Sequence, residues 1–504
     1  MSDAIFLGNV SYTAGYLKPA GMYRIATEIR NHGYSAETID LFAFFNECDL
    51  FQLVSRYITE KTAFVGFSST LLLNHITNDY FSVSDDSFFK LCRHIKAINS
   101  RVKIVVGGSQ ALPSFNSLHL KYADCVDYFI SGQGELQAVA LLRHIKEGES
   151  LNVKTIDNLK YLTSENYEYQ GFTTSSIEYT ESDTVFQGEA LPIEISRGCA
   201  FKCSFCIYDN RGKKFGDIVK QKQVIRDELL RNHELFGTSV YMIMDDTLND
   251  SMRKVEYLHE TLTSLPFSIN FISFARLDMI SKYPDMAVML KEMGLVGVSF
   301  GIETMHKEAG QKIGKGLGEK KVKHALKHCK DIWGDNVIIN GNFILGLPHE
   351  PLESIKSTMS WVDSDECTLD SINIFPLNVS KSRSTSQFDK EAASGNIMCF
   401  GGESDSEWRH RHMSFSGAVS LKNHYDRYFQ KKWPNFNKIG AFSIPRMVNI
   451  GFTVEDCLQI NRQSRSSSPI IELERGTITD LNREIWQRTV KRRNEYIQQK
   501  LKTS

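Results

Sequence analysis

Two long stretches of this chain alternate short apolar runs with amphipathic ones, and no other property constrains its fold as much. From residue 4 to about 148, the apolar "AIFLGNV" leads into "KPAGMYRIATEIRNHG". There Met22, Ala26 and Ile29 recur at helical spacing, Pro19 sits near a first turn and Gly33 suits a C-terminal cap. "SAETIDLF", "TAFVGFSST", a helical "DDSFFKLCRHIKAINS", "VKIVVGGSQA", "CVDYFISGQGE" and a helical "LQAVALLRHIKEG" follow. Strands separated by helices pair in parallel through right-handed crossovers. The pattern predicts an α/β, doubly wound, Rossmann-like domain of five strands over 1–148. Its ligands would sit beyond the carboxyl ends of the strands.

A second alternating series starts at Leu191 with "LPIEIS". It continues through "SVYMIMDDTL", "INFISFARLD", "LVGVSFGIET", "NVIINGNFILGLP" and "SINIFPLNV", each joined to the next by a helical stretch. Six β/α units are too few for a closed eight-fold barrel, so 191–380 is predicted to form a partial (β/α)6 barrel. Its polar residues fall at the strand ends, the rim that carries the chemistry of such barrels. Residues 149–190 are polar and strand-like, and read as a connector that packs on a domain surface. Residues 381–504 lose the alternation and read as a mostly helical C-terminal region.

Composition narrows the class. The 504 residues are 41% hydrophobic and 24% charged, enough apolar material for cores without disulfides. A net charge of −1 gives no global basic field for nucleic acid. No apolar run reaches the roughly 18 residues of a membrane span, and the start lacks a signal peptide's basic flank and long apolar core. Seven of the ten cysteines are scattered, which suggests buried thiols in a reducing, cytoplasmic setting.

The other three are clustered. In "EISRGCAFKCSFCIYDNRG", Cys199, Cys203 and Cys206 lie on one loop after a strand, and Gly198 permits a tight exit. Three soft thiolates can wrap an iron–sulfur core and leave one iron open. A structural zinc with a distant fourth ligand, or three ordinary cysteines, are the plainer alternatives.

The motif C-x-x-x-C-x-x-C, with Phe205 before its last cysteine, resembles that of radical S-adenosylmethionine (SAM) enzymes. The resemblance implies that the three cysteines hold a 4Fe–4S cluster. Its open iron would chelate the amino and carboxylate groups of SAM, and reduction would yield a 5′-deoxyadenosyl radical that takes hydrogen from substrate. It further implies an external electron donor such as flavodoxin or ferredoxin.

Four strand ends look like that family's SAM contacts. "MIMDDT" places Met244, Asp245 and Asp246 where the family contacts the SAM amino group, and either aspartate could receive the ammonium. A helix N-cap with first-turn acids explains them equally well. Arg276 in "FARLD" suits the SAM carboxylate, the alternative being an Arg276–Asp278 surface pair. Glu303 in "SFGIET" suits the ribose hydroxyls. "NGNFILGLPHE" resembles the adenine stretch G-x-I-x-G-x-x-x-E, read through Gly341, Phe343, Leu345 and Glu350, or through Ile344 and Gly346.

In the first domain, Gly107–Gly108 and Gly132–Gly134 follow strands. Ser68, Ser69, Thr70, Ser109 and Gln110 add short polar side chains, and Glu135 opens a helix. Alone these are weak signals. Placed before the cluster motif, they resemble the cobalamin-binding domain of a large radical SAM subclass. An Asp-x-His-x-x-Gly signature is absent, so the resemblance implies cobalamin without a histidine beneath cobalt. A domain that keeps the fold and has lost the cofactor is the alternative. "SEWRHRHMSF", with Trp408, His410 and His412, matches a Trp-x-His stretch after the subclass's barrel and is expected to be a packed tryptophan covering the barrel mouth.

These resemblances point to a cobalamin-dependent radical SAM enzyme. It would transfer a methyl group to an unactivated centre of a small-molecule or peptide substrate, with no nucleic-acid or membrane partner. Radical rearrangement or cyclisation, tRNA methylthiolation, and a non-enzymatic corrinoid- or SAM-binding role are the competing functions. The second of these needs three more clustered cysteines and a basic module, and neither is evident.

Overall fold

In the computed structural model, residues 2–8, 15–40, 47–69, 85–108, 111–113, 119–163, 167, 171–206, 211–379, 386–395, 398–400 and 407–503 are described. The chain divides into two units: Met1–Pro192 with Glu234–Gly237 and Ile485–Ser504, and Ile193–His233 with Thr238–Glu484.

The first unit is built on a sheet ordered β2-β1-β3-β4-β5-β7-β6. Strands β1 (Ala4–Leu7), β2 (Ala36–Ile39), β3 (Phe64–Ser68), β4 (Lys103–Gly108) and β5 (Tyr128–Ser131) are the five predicted ones, all parallel. Ile5, Val65 and Phe129 are fully buried, as strands covered by helices on both faces require. The order 2-1-3-4-5 reverses between β1 and β3, which sets the ligand crevice at their carboxyl ends. Residues 9–14, 41–46, 70–84, 109–110 and 114–118 lie outside the described residues, and with them Thr70, Ser109 and Gln110.

Two further strands, β6 (Lys154–Ile156) and β7 (Leu159–Thr163), extend this sheet from the stretch predicted as a connector. Asp157 and Asn158 join them at φ 47° and 66°. Two central residues in the left-handed region give the turn type that matches strand twist. The C-terminal helix Leu481–Thr503 also serves this unit. Lys500 Nζ is 2.6 Å from Glu37 Oε1, and the Asp40 amide donates to Tyr496 Oη at 3.1 Å. The C-terminal region predicted over 381–504 is thus shared between the units.

The second unit carries a six-stranded sheet ordered β13-β12-β11-β10-β9-β8. Its strands are β8 (Leu191–Ile193), β9 (Val240–Ile243), β10 (Asn270–Ala275), β11 (Leu295–Glu303), β12 (Ile338–Leu345) and β13 (Ser371–Pro376). These are the six predicted strands of the partial barrel. Alternation separates two faces. The outer face meets helices: Phe300 stacks on Trp333 of helix Glu319–Trp333 with ring centroids 6.2 Å apart. The inner face carries Ser299, Asn340, Asn342 and Asn373, joined by side-chain hydrogen bonds of 2.9 to 3.1 Å. Beyond β13, helices Phe415–Lys432, Ser443–Asn449 and Val454–Arg462 make the region mostly helical. Among the described residues, no helix is long and apolar enough to cross a membrane.

Candidate functional site

The cysteine loop leaves β8 through Gly198, whose φ of 135° few other residues adopt. Backbone bonds then fold it back on itself. The Cys206 amide donates to the Cys203 carbonyl (3.1 Å), Lys213 to Cys199 (3.1 Å) and Gly212 to Phe201 (3.2 Å). Ser204 Oγ donates to the Lys312 carbonyl at 2.8 Å and fixes the outer edge. Residues 207–210 lie outside the described residues. The three thiols are half-buried and none is in a disulfide. Among the described residues, no three His, Cys, Asp or Glu side chains converge as one metal ion needs. Three thiols on one open loop instead suit a core of several irons, which is wider than a single ion.

Arg276 is the clearest sign that this loop holds negative charge. It follows β10 and is 3% exposed. Its Nη1 donates to Cys203 Sγ at 3.1 Å, and its guanidinium lies 3.7 Å from the centroid of the Phe201 ring. Nε and Nη2 grip the Asp278 carboxylate at 2.9 and 2.6 Å, and Nη2 also donates to the Gly314 carbonyl at 2.8 Å. The Arg276–Asp278 pair of the plainer alternative therefore exists, but buried and turned toward the cluster loop. Burial opposes its charge, and Asp278 and Cys203 more than compensate, so its pKa rises above the ordinary value. An arginine aimed at sulfur in this way fits a thiolate-held, anionic cluster.

The acids after β9 divide their roles. Asp245 is held within the fold: Lys254 Nζ pairs with its Oδ2 at 2.7 Å in complete burial, and the Thr247 amide donates to Oδ1 at 3.0 Å. Lys254 also donates to Ser196 Oγ (2.9 Å) and the Thr247 carbonyl (3.0 Å). Asp245 thus braces the loop and is closed to an incoming ammonium. Asp246 stays open at the rim, its pKa raised by burial and then by Asp245. Met244 is exposed beside it. Sequence reasoning missed three residues of this hub. Asn249 brackets the Arg276 backbone through bonds of 2.7 and 3.0 Å, Thr247 Oγ1 lies 3.5 Å from Cys199 Sγ, and Lys254 supplies the cation. The acid-rich "DDTLND" followed by a lysine on the next helix was the available signal.

Glu303, 8% exposed and at φ 67°, faces Lys315 at 3.6 Å across Gly301. Burial raises its pKa and Lys315 opposes the rise. Lys315 sits between Gly314 (φ 80°) and Gly316 (φ 70°), a loop that sequence reasoning did not single out. In the adenine stretch the alternation decides. Gly341 lies on the outer face, where a Cβ would sit 2.7 Å from Leu369 Cδ1. Ile344 is on the inner face and half-buried. Gly346 makes room for a side chain of the protein, since a Cβ there would meet Trp408 at 2.1 Å. Trp408 is fully buried, donates to the Leu377 carbonyl at 2.8 Å, and His410 Nε2 lies 3.0 Å from the Gly346 carbonyl. The tryptophan expected to pack after the barrel does so on this glycine. Glu350 accepts from Thr304 Oγ1 at 2.6 Å and Ser354 Oγ at 3.3 Å, and burial pushes its carboxyl up to about 7.

In the first unit, Ser68, Gly107 and Gly108 are half-buried and Gly132 is exposed, so backbone is open at the ends of β3, β4 and β5. Gly108 has φ 123°, and a Cβ on it would press on Ser69 Oγ at 2.8 Å. An open backbone of this kind fits a large flat ligand. Two predicted contacts are otherwise employed. Gly134 makes room for Ile25 Cδ1, 2.9 Å from its would-be Cβ. Glu135 is 3% exposed and faces Arg24 Nε at 3.7 Å.

Residues 193–362 match the model of the Radical SAM superfamily. The Uncharacterized methyltransferase PH0819 of Pyrococcus horikoshii is 25% identical over 290 residues, 54% of this chain and 60% of the relative. The matched region thus spans less than two thirds of that relative. Among solved structures, the radical SAM methyltransferase TsrM from Kitasatospora setae, with tryptophan and a SAM analogue bound, aligns at TM-score 0.58 and 14% identity over 79% of this chain and 78% of its own. The cobalamin-dependent SAM radical enzyme OxsB with aqua-cobalamin aligns at TM-score 0.62 and 12% identity, over 98% and 84%. At such identities the likeness is one of fold.

Proposed function

Because residues 193–362 match the Radical SAM superfamily model, we propose that this chain is a cobalamin-dependent radical SAM methyltransferase of a small-molecule or peptide substrate. The observation that carries the reading is the Arg276 guanidinium, buried and 3.1 Å from Cys203 Sγ on the three-thiol loop. A 4Fe–4S cluster, when bound there, supplies the electron that cleaves the SAM sulfonium, and cobalamin supplies a methyl carrier.

The chain's own residues do the rest. Cys199, Cys203 and Cys206 hold the cluster. Arg276 donates to a cluster sulfur ligand and is itself held by Asp278 and Asn249. Asp246 is the acid at the rim left to meet the SAM ammonium, Glu303 would take the ribose hydroxyls, and Ile344 would pack along the adenine. Ser68, Gly107, Gly108 and Gly132 would line the backbone surface assigned to cobalamin, with Ser69 buried against Gly108. Trp408 closes the end of β12 and keeps water from that side.

The test is anaerobic reconstitution with iron, sulfide and cobalamin. We expect cluster and corrinoid absorption, 5′-deoxyadenosine on reduction, and labelled methyl carried from SAM to an acceptor. A zinc-loaded or colourless protein would remove the reading. One observation favours a second: Gly134 and Glu135 serve packing within the first unit, as in a domain that keeps its shape without a corrinoid. In that case 5′-deoxyadenosine forms in protein that shows no corrinoid band, and the reaction is a rearrangement or cyclisation.

A further inference from the structure

The inner face of the second sheet has an unusual composition. Below Glu303, the inward positions of β10 to β13 carry no charged residue: Phe274, Ser299, Asn340, Asn342, Ser371, Asn373 and Phe375 share them with aliphatic Ile272 and Ile344. Ser299 Oγ accepts from both Asn340 and Asn342 at 2.9 Å. Asn342 Oδ1 accepts from Asn340 (3.1 Å) and from Asn373 (3.0 Å). Exposure rises along this ladder. Asn340 is 3% exposed, Asn342 is half-buried, and Asn373 is exposed, with its carbonyl oxygen making no hydrogen bond among the described residues. The ladder ends in an amide offered to the barrel mouth.

Phe274 and Phe375 stand at its two sides, 42% and 51% exposed. Strand interiors rarely leave rings so open, and two on the concave face of one sheet mark a binding surface. The floor beneath is closed. Phe442 stacks on Phe274 with ring centroids 4.3 Å apart, and Ala441 fills the space over Gly297. Of the charged side chains on other elements, Lys315 is engaged with Glu303 and Arg446 with the Phe442 carbonyl, and the open Asp246 is the rim acid assigned to the SAM ammonium.

Resting on the radical SAM reading, we propose that the substrate moiety entering this barrel is an uncharged planar ring bearing an N–H or C=O edge, held between Phe274 and Phe375 and read by the Asn373 amide. A net charge there would lose its water and gain no counter-ion. A flat neutral ring finds aromatic walls and one adaptable hydrogen-bonding group.

Three probes share one ring and differ in charge: indole-3-acetamide, indole-3-acetate and tryptamine. Their binding to the full-length, cluster-loaded protein is measured by anaerobic equilibrium dialysis. The neutral amide is expected to bind at least about tenfold more tightly than either ion. Asn373→Ala should weaken binding of the amide several-fold while leaving it ahead of both ions, and Asn373→Asp should turn the preference toward tryptamine. Cluster absorption reports that each variant is folded and loaded. Equal binding of all three, no saturable binding of any, or an Asn373→Asp variant that keeps the wild-type ranking would overturn the proposal. Failure of the radical SAM reading shows separately, as absent cluster absorption and no 5′-deoxyadenosine, whichever way the probes rank.

Discussion

In the second unit, the charged residue after β10 is bent toward the thiols. In the first, the charged residue after β5 is tied to a helix of its own domain. Arg276 reaches Cys203, while Glu135 faces Arg24 on helix Ala20–Asn31. The glycines divide differently. Gly341, Gly346 and Gly134 all make room for side chains of the protein itself, Leu369, Trp408 and Ile25. The lesson is one of specificity. Thiols and a guanidinium at one rim have few purposes besides an anionic centre, whereas a glycine after a strand serves close packing as readily as a cofactor.

The strongest way to break this contrast is at the thiols. Cys203→Ala should remove the cluster absorption and reduce SAM cleavage to background, since a 4Fe–4S core held by three protein ligands does not survive the loss of one. Retained cleavage would mean that the loop is not the centre. Lys254→Met probes the hub that carries Arg276. It leaves Asp245 and Asp250 buried without their cation and should cost about 3–5 kcal/mol, read as a lower urea midpoint. The double variant with Asp245→Asn should recover part of that loss, and no recovery would deny the pairing.

Glu350 gives the rim a pH signature. Burial holds its carboxyl at about 7 in the fold, above the roughly 4.3 of an unfolded chain. Between those values the unfolded chain releases a proton that the native state keeps. The penalty is therefore absent at low pH, grows as pH rises toward 7, and is constant above. Wild-type stability should fall by about 2 kcal/mol between pH 5 and 8 from this group, and Glu350→Gln should flatten that slope in urea titrations. Smaller again is Arg276→Lys. It keeps the charge but loses the fork on Asp278 and the donor to Cys203, and should lower SAM cleavage about tenfold. The cluster's reduction potential should move negative with it, and an unchanged potential would mean the Cys203 contact is only structural.

Much of this was legible in the sequence because the signals were periodic. All eleven expected strands form, since apolar runs between helices have no other way to be buried. The strand-like character of 149–190 was legible, but the β6–β7 hairpin and its place in the first sheet were not, because each strand is three to five residues long and joined by Asp157–Asn158, whose turn has no glycine to announce it. At the site, Cys199, Cys203, Cys206, Arg276 and Glu303 were named through a family resemblance, and the structure brings Arg276 to the cysteine loop. Asp245 could not be told from Asp246, because only the fold reveals which one Lys254 reaches. Asn249 and Lys315 act through backbone contacts and loop geometry, which leave no mark in residue type. The packing of Trp408 on Gly346 left no mark in the sequence, because the two lie 62 positions apart.

The smallest expected effect sharpens the comparison most. If Glu135 is a packing residue, Glu135→Gln should disturb the fold and not the corrinoid. Arg24 keeps Glu28 at 3.8 Å and the Ser176 carbonyl at 2.6 Å, so its charge is not stranded. The cost should therefore be only about 1 kcal/mol, below that of an isolated buried pair. Corrinoid absorption per protein should be unchanged from wild type, with the urea midpoint slightly lower. A variant that folds normally yet loses the corrinoid band would place Glu135 at the ligand. The two units would then use their strand ends alike, and the crevice after β5 would have to open by releasing Arg24.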